Sequence, residues 1–162
     1  VSYGIQAEII GVKELAQATA DAAKQSGKII SEFLNDTARE VVSSLQDVTP
    51  TGATAHLRQS MHAEFATPAK QTAIVGTNVK YAPFVEYGTK PHRPPTGPNS
   101  SLRLWARRKL GDEKAVYAIA RSIAARGTKG QGYMKKAKDY GQNYFSSHAD
   151  FVTNEIMKIL GR

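Results

Sequence analysis

Tyr81-Ala-Pro-Phe-Val-Glu-Tyr-Gly-Thr-Lys-Pro-His-Arg-Pro-Pro95 is the stretch on which the reading of this chain turns. Pro83 denies a strand one ladder hydrogen bond, so a strand is a poor fit to Tyr81–Tyr87. A short helix suits it: Pro83 falls in the first turn, where its missing N–H costs nothing, and Gly88 supplies a left-handed C-terminal residue. Tyr81, Phe84 and Tyr87 then lie on this helix. Two of the three are expected to fill the core. Glu86 is the stretch's single acid, and it is expected to hold backbone or a basic side chain and to catalyse nothing. His92 to Ser101, rich in Pro, Gly and Ser, is a loop.

Upstream, Tyr3, Ile5, Ala7 and Ile9 alternate with Gly4, Gln6 and Glu8, the period of a half-buried strand, and Gly11 breaks it. From Val12 to about Val48 the period becomes helical. Ile30, Phe33, Leu34, Ala38, Val41 and Leu45 form one stripe, and Pro50 ends the helix. After a Thr49–Gly52 turn, Leu57–Ala66 and Thr72–Thr77 read as a hairpin around Pro68, with Leu57, Gln59, Met61, Ala63 and Phe65 on one face.

Downstream, Leu102–Leu110 predicts a helix closed by Gly111. Asp112 is placed as the N-cap of a second helix, which has a stripe of Val116, Ile119, Ala120 and Ile123 and stops at Arg126-Gly127. Gly130–Tyr133 reads as extended. A final helix spans about Met134 to Leu160, with Ala137, Tyr140, Tyr144, Phe145, Phe151, Val152, Ile156 and Leu160 on its buried side. The expected architecture is α+β: a small antiparallel sheet packed against a long N-terminal and a long C-terminal helix. It forms one domain over residues 1–162, with a basic helical insertion at 98–130.

The 162 residues are 41% hydrophobic and 22% charged, the composition of a globular domain. Without cysteine there is neither a disulfide framework nor thiolate chemistry. No apolar run approaches a bilayer span and no basic-then-apolar leader pattern opens the chain, so a soluble protein without membrane contact is expected. The net charge of +8 is not spread evenly: Lys90 to Lys138 carries thirteen basic residues against two acids. Arg103, Arg107, Arg108, Lys109, Arg121, Arg126 and Lys129 are the candidates for contact with DNA backbone or an acidic partner. No base-reading motif accompanies them, so any DNA contact should be sequence-independent and salt-dependent.

Catalytic and metal signatures are missing from the sequence. His56 and His62, read on one strand, face solvent beside Glu64. Gly127-Thr-Lys-Gly-Gln-Gly132 lacks the Gly-Lys-Ser/Thr ending of a phosphate loop. Ser60 and Ser122 have no elbow motif and no partner base. No catalytic residue, cofactor or metal is expected.

Thr49-Pro-Thr-Gly52 with Leu57-Arg-Gln-Ser-Met61, Val79-Lys-Tyr-Ala-Pro-Phe-Val-Glu-Tyr-Gly-Thr89, and Arg126-Gly-Thr-Lys-Gly-Gln-Gly-Tyr-Met134 with Ala137 occur in that order. Together they resemble the neck or tail-completion family of long-tailed bacteriophages, over about residues 12 to 160. Tyr133 departs from the Phe often found there, and the segment Ser101–Arg126 is absent from shorter members. The resemblance implies a structural virion protein at the head–tail junction, assembled in the host cytoplasm as a homo-oligomeric ring of six or twelve copies. Its implied neighbours are head-closure and tail-terminator or tail-tube proteins, with channel DNA as a non-specific contact. Tyr81, Phe84, Glu86, Tyr87, Gly88, Thr89 and Arg93 are then the candidate subunit interface. A tail-terminator ring and a free DNA-binding protein are the alternatives.

Overall fold

The computed structural model describes residues 12–161; the alternating stretch Tyr3–Ile9 lies outside the described residues. Helix α1 spans Val12–Val48, about 55 Å at 1.5 Å per residue. A buried Thr49 follows, its hydroxyl donating to Leu45 O at 2.5 Å. The chain then makes a short helix α2 (His56–Gln59), the hairpin β1 (His62–Glu64) and β2 (Ile74–Gly76), and helix α3 (Ala82–Tyr87) running into β3 (Gly88–Thr89). Helices α4 (Ser101–Leu110) and α5 (Ala115–Arg126) follow, then β4 (Thr128–Lys129) and the long α6 (Tyr133–Ile159). The fold is α+β, as expected, and among the described residues it has two separate antiparallel pairs: β1 with β2, and β3 with β4.

Helices α1 and α6 run antiparallel. Leu45 shares the core with Tyr133 and Ala137, Val41 meets Gly141, and the rings of Phe33 and Phe145 sit 5.0 Å apart. Tyr140 donates its hydroxyl to Glu40 at 3.1 Å across the same seam, and that bond is the main cause raising the Tyr140 pKa. Leu57 and Met61 complete the buried cluster from the α2–β1 connection, and Ala82 from α3. Burying Leu45, Leu57 or Met61 is worth about 1.5–3 kcal/mol each.

Several expectations need correction. Leu57–Ala66 is not one strand: its first half winds into α2, so Leu57 and Met61 reach the core from a helical turn, and Phe65 is left exposed. His56 therefore sits on a helix and His62 on a strand, not together on one face. Gly130–Tyr133 is not extended throughout, because Gly132 is left-handed and Tyr133 already belongs to α6. Asp112 accepts from the N–H of Lys114, one turn ahead of where α5 begins, and does not cap it directly. On α6, Ala137 and Gly141 are buried, whereas Tyr140, Phe145 and Phe151 are exposed, as is Leu160 just past its end.

At Gly141 the two long helices leave no room for a side chain. A Cβ built there would meet Cγ2 of Val41 at 2.5 Å. The Gly141→Leu variant is expected to lose about 1–3 kcal/mol by overpacking, and Val41→Ala to restore part of it. Urea denaturation of the two single variants and the double variant measures this, and strictly additive losses would mean that the two positions do not touch.

Candidate functional site

Helix α3 has a proline in its first turn, as the sequence predicts, and ends at Gly88 with φ 82 and ψ −175. The φ is positive but the ψ is extended, so Gly88 leads directly into β3 rather than closing a left-handed cap. A side chain at Gly88 would collide with the backbone of Thr128 and Gly130. Side chains at Gly127 and Gly130 would likewise strike the backbone of Thr89 and of Glu86–Tyr87. Three glycines thus let two strands of chain approach closer than any Cβ allows. The ribbon they permit pairs Gly88 with Lys129 and Thr89 with Thr128, and the two threonine hydroxyls lie 2.9 Å apart.

Glu86 sits beside this ribbon, 8% exposed. Its carboxylate accepts from the backbone N–H of Met134 at 2.8 Å and of Lys135 at 3.2 Å. These are amides of the first turn of α6, whose N-cap residue, Gly132, has no side chain to satisfy them. Glu86 caps α6 from 48 positions away, and the positive end of the helix dipole favours its charge. The converse also holds. The carbonyls of Val85 and Glu86, at the open end of α3, accept from the N–H groups of Gln131 (2.9 Å) and Gly132 (3.1 Å). The role expected of Glu86, holding backbone, is the one the geometry gives it. Tyr133, fully buried beneath, has its phenol pKa raised by burial first and by the Glu86 charge second.

With the polar side of α3 turned to α6, its aromatic side faces out. Tyr81 is 44% exposed, Phe84 60% and Tyr87 83%. The expectation that two of them fill the core is overturned: Ala82 and Val85 occupy the inward positions instead. Arg93 is exposed on the following loop.

The basic candidates divide into two kinds. Arg103 is half-buried and committed within the fold. It donates to Glu113 (2.9 Å), Thr96 O (2.7 Å) and the Tyr117 hydroxyl (2.9 Å), and lies over the Tyr117 ring. The bond to Glu113 is the main cause raising its pKa. Arg108 donates to Ala53 O and Lys109 to Thr51, which anchors α4 to the turn after α1. Arg126 reaches Ser122 in its own helix. Arg107, Arg121 and Lys129 are exposed and make no side-chain hydrogen bond among the described residues.

Sequence reasoning missed the partner of Glu86. The signal was present in the glycines at 127, 130 and 132, whose clustering marks close backbone approach as readily as phosphate binding. Among the described residues, no cluster of three metal-ligating side chains occurs, and no helix is long and apolar enough to cross a membrane.

Residues 13–88 match the model of a family described as "HK97-gp10_like: Bacteriophage HK97-gp10, putative tail-component". The resemblance read from the sequence is borne out over that segment, which runs from α1 to the end of α3. The C-terminal block from Arg126 lies outside the match. No curated protein and no solved structure matches the chain.

Removing the carboxylate leaves two amides of α6 without their acceptor. Glu86→Ala is expected to cost about 2–3 kcal/mol, the scale for hydrogen bonds to a charged group. Glu86→Gln, which keeps an acceptor, should cost less than half of that. Thermal denaturation followed by circular dichroism compares them; equal losses would show that the carboxylate's acceptor role is not what matters.

Proposed function

We infer that the protein is a structural subunit of a long-tailed phage virion, joining or completing the head–tail interface as a homo-oligomeric ring around the DNA channel. The observation that carries this reading is the match of residues 13–88 to a phage tail-component family. The geometry supports it in two ways. A ring needs two complementary patches related by rotation, and the exposed Tyr81–Phe84–Tyr87 ridge, braced from behind by the Glu86 cap, has the composition and rigidity of one such patch. The α4–α5 segment between β3 and β4 carries exposed Arg107 and Arg121, which suit an anionic surface, either channel DNA or an acidic neighbouring ring. The work done is mechanical rather than catalytic: ring closure and stacking on adjacent rings stiffen the neck, and Glu86 serves backbone.

Mass spectrometry of purified particles should find the chain in fixed stoichiometry with the portal, and its absence from particles overturns the reading. Without the protein, DNA-filled heads should accumulate beside finished, unattached tails; overlong tails would instead indicate a terminator that stops tube growth. Reversing charge at Arg107 and Arg121, which are not engaged in the fold, should lower infectivity at least tenfold while leaving thermal stability unchanged. Unaltered infectivity would remove the basic face from the mechanism.

A further inference from the structure

Strand β2 borders an open groove. Its floor is apolar and made by Ala38 and Val41 of α1 and by Ala137 and Gly141 of α6, with Val75 of β2 at its side. Among the described residues the sheet is two strands wide and rests on α1, with Val75 packed against the core. Ile74–Gly76 makes no backbone hydrogen bond other than its pairing with His62–Glu64 among the described residues. Within the described residues the outer edge of β2 is therefore an unpaired template, a state that folded proteins ordinarily cover.

The chain contains one further segment with the right pattern. Tyr3, Ile5, Ala7 and Ile9 alternate with Gly4, Gln6 and Glu8, giving one apolar face for the groove floor and one polar face for solvent. Glu8 is the only charged residue before Val12, and Lys135 and Lys138 line the groove.

That segment cannot reach the groove of its own subunit. The groove begins on α1 at Leu34, about 33 Å along the helix axis from Val12 at 1.5 Å per residue. The three residues from Ile9 to Val12 span at most about 10 Å fully extended, and the nine from Tyr3 about 31 Å. Even laid straight back along α1, the whole stretch ends short of Leu34, with no residue left to pair. Residues 13–20 at the start of α1 are exposed throughout, so the helix offers an arm that carries the segment away from the body.

We propose that residues Tyr3–Ile9 of one subunit add as a third strand to the free edge of β2 of a neighbouring copy, filling the groove between its α1 and α6. Main-chain hydrogen bonds supply the affinity and the alternating apolar residues set the face, as in other cases of strand addition. The contact is heterologous, since the donor arm and the acceptor groove are different surfaces, and so it propagates around a closed ring. This rests on the homo-oligomer reading above and adds to it the segment that links one copy to the next.

The chain has no cysteine, which makes disulfide trapping between full-length chains direct. Gln6→Cys and Glu8→Cys chains, carrying a tag of distinct mass, are each mixed with an Ile74→Cys chain and mildly oxidised; Ile74 is 51% exposed on the solvent face of β2. At least one combination should give a mixed dimer, and a His62→Cys acceptor on the far strand should give none. Ile5→Asp/Ile9→Asp should weaken self-association at least tenfold in sedimentation, with the helical circular dichroism signal unchanged. If the chain assembles but the Ile74 acceptor traps no more than the His62 acceptor, strand donation is wrong and the ring reading stands. If the chain sediments only as a monomer and traps nothing, both fall.

Discussion

The structure depends on one mutual capping interaction. The carboxylate of Glu86 takes the free amides at the start of α6, and the last carbonyls of α3 take the amides of Gln131 and Gly132. Each helix thereby satisfies the polar groups that the other leaves open. The pairing works only because Gly88, Gly127 and Gly130 admit backbone against backbone. It also fixes the roll of α3 about its axis. Once Glu86 points at α6, the positions of Tyr81, Phe84 and Tyr87 follow, and they fall on the solvent side. A hydrophobic ridge on a six-residue helix has little stability of its own; here a charged hydrogen-bond network behind the ridge holds it in place.

The basic segment illustrates how poorly charge alone identifies function. Thirteen cations lie between Lys90 and Lys138, yet Arg103 is spent on joining α4 to α5 through Glu113, Thr96 and Tyr117. Arg108 and Lys109 fasten that helical pair to the turn at Thr51–Ala53. The same residue type is thus a structural fastener at one position and a free surface charge one helical turn away, at Arg107. Local hydrogen-bond geometry separates the two roles where sequence composition does not.

Legibility from sequence followed the strength of the local signal. The 3.6 period of α1 is carried by the stripe from Ile30 to Leu45, and the helix end could be read directly, with Pro50 as the stop. Pro83 and Gly88 bracketed α3, and Gly111 ended α4, because each residue restricts backbone angles in a known way. The α2 turn was not legible, since four residues carry no period and Ala55, left-handed at φ 54, gives no compositional warning. The outward roll of α3 was not legible either: a helix with apolar residues all round does not announce which side is inside, and the deciding partner lies 48 positions downstream. Much the same holds near the C-terminal end of α6, where the apolar pattern did not reveal that Phe151 and Leu160 stay exposed.

The threonine-paired ribbon of β3 and β4 joins Thr89 and Thr128 across 39 positions of sequence. Because the ribbon and the cap are complete without any residue between them, the intervening chain is topologically a side branch. Loop-closure cost varies only logarithmically with length, about 0.6 kcal/mol per doubling. A change of length in that branch therefore costs the closure of the ribbon little, and what such a change has to preserve is the moorings of Arg108 and Lys109 at Ala53 and Thr51.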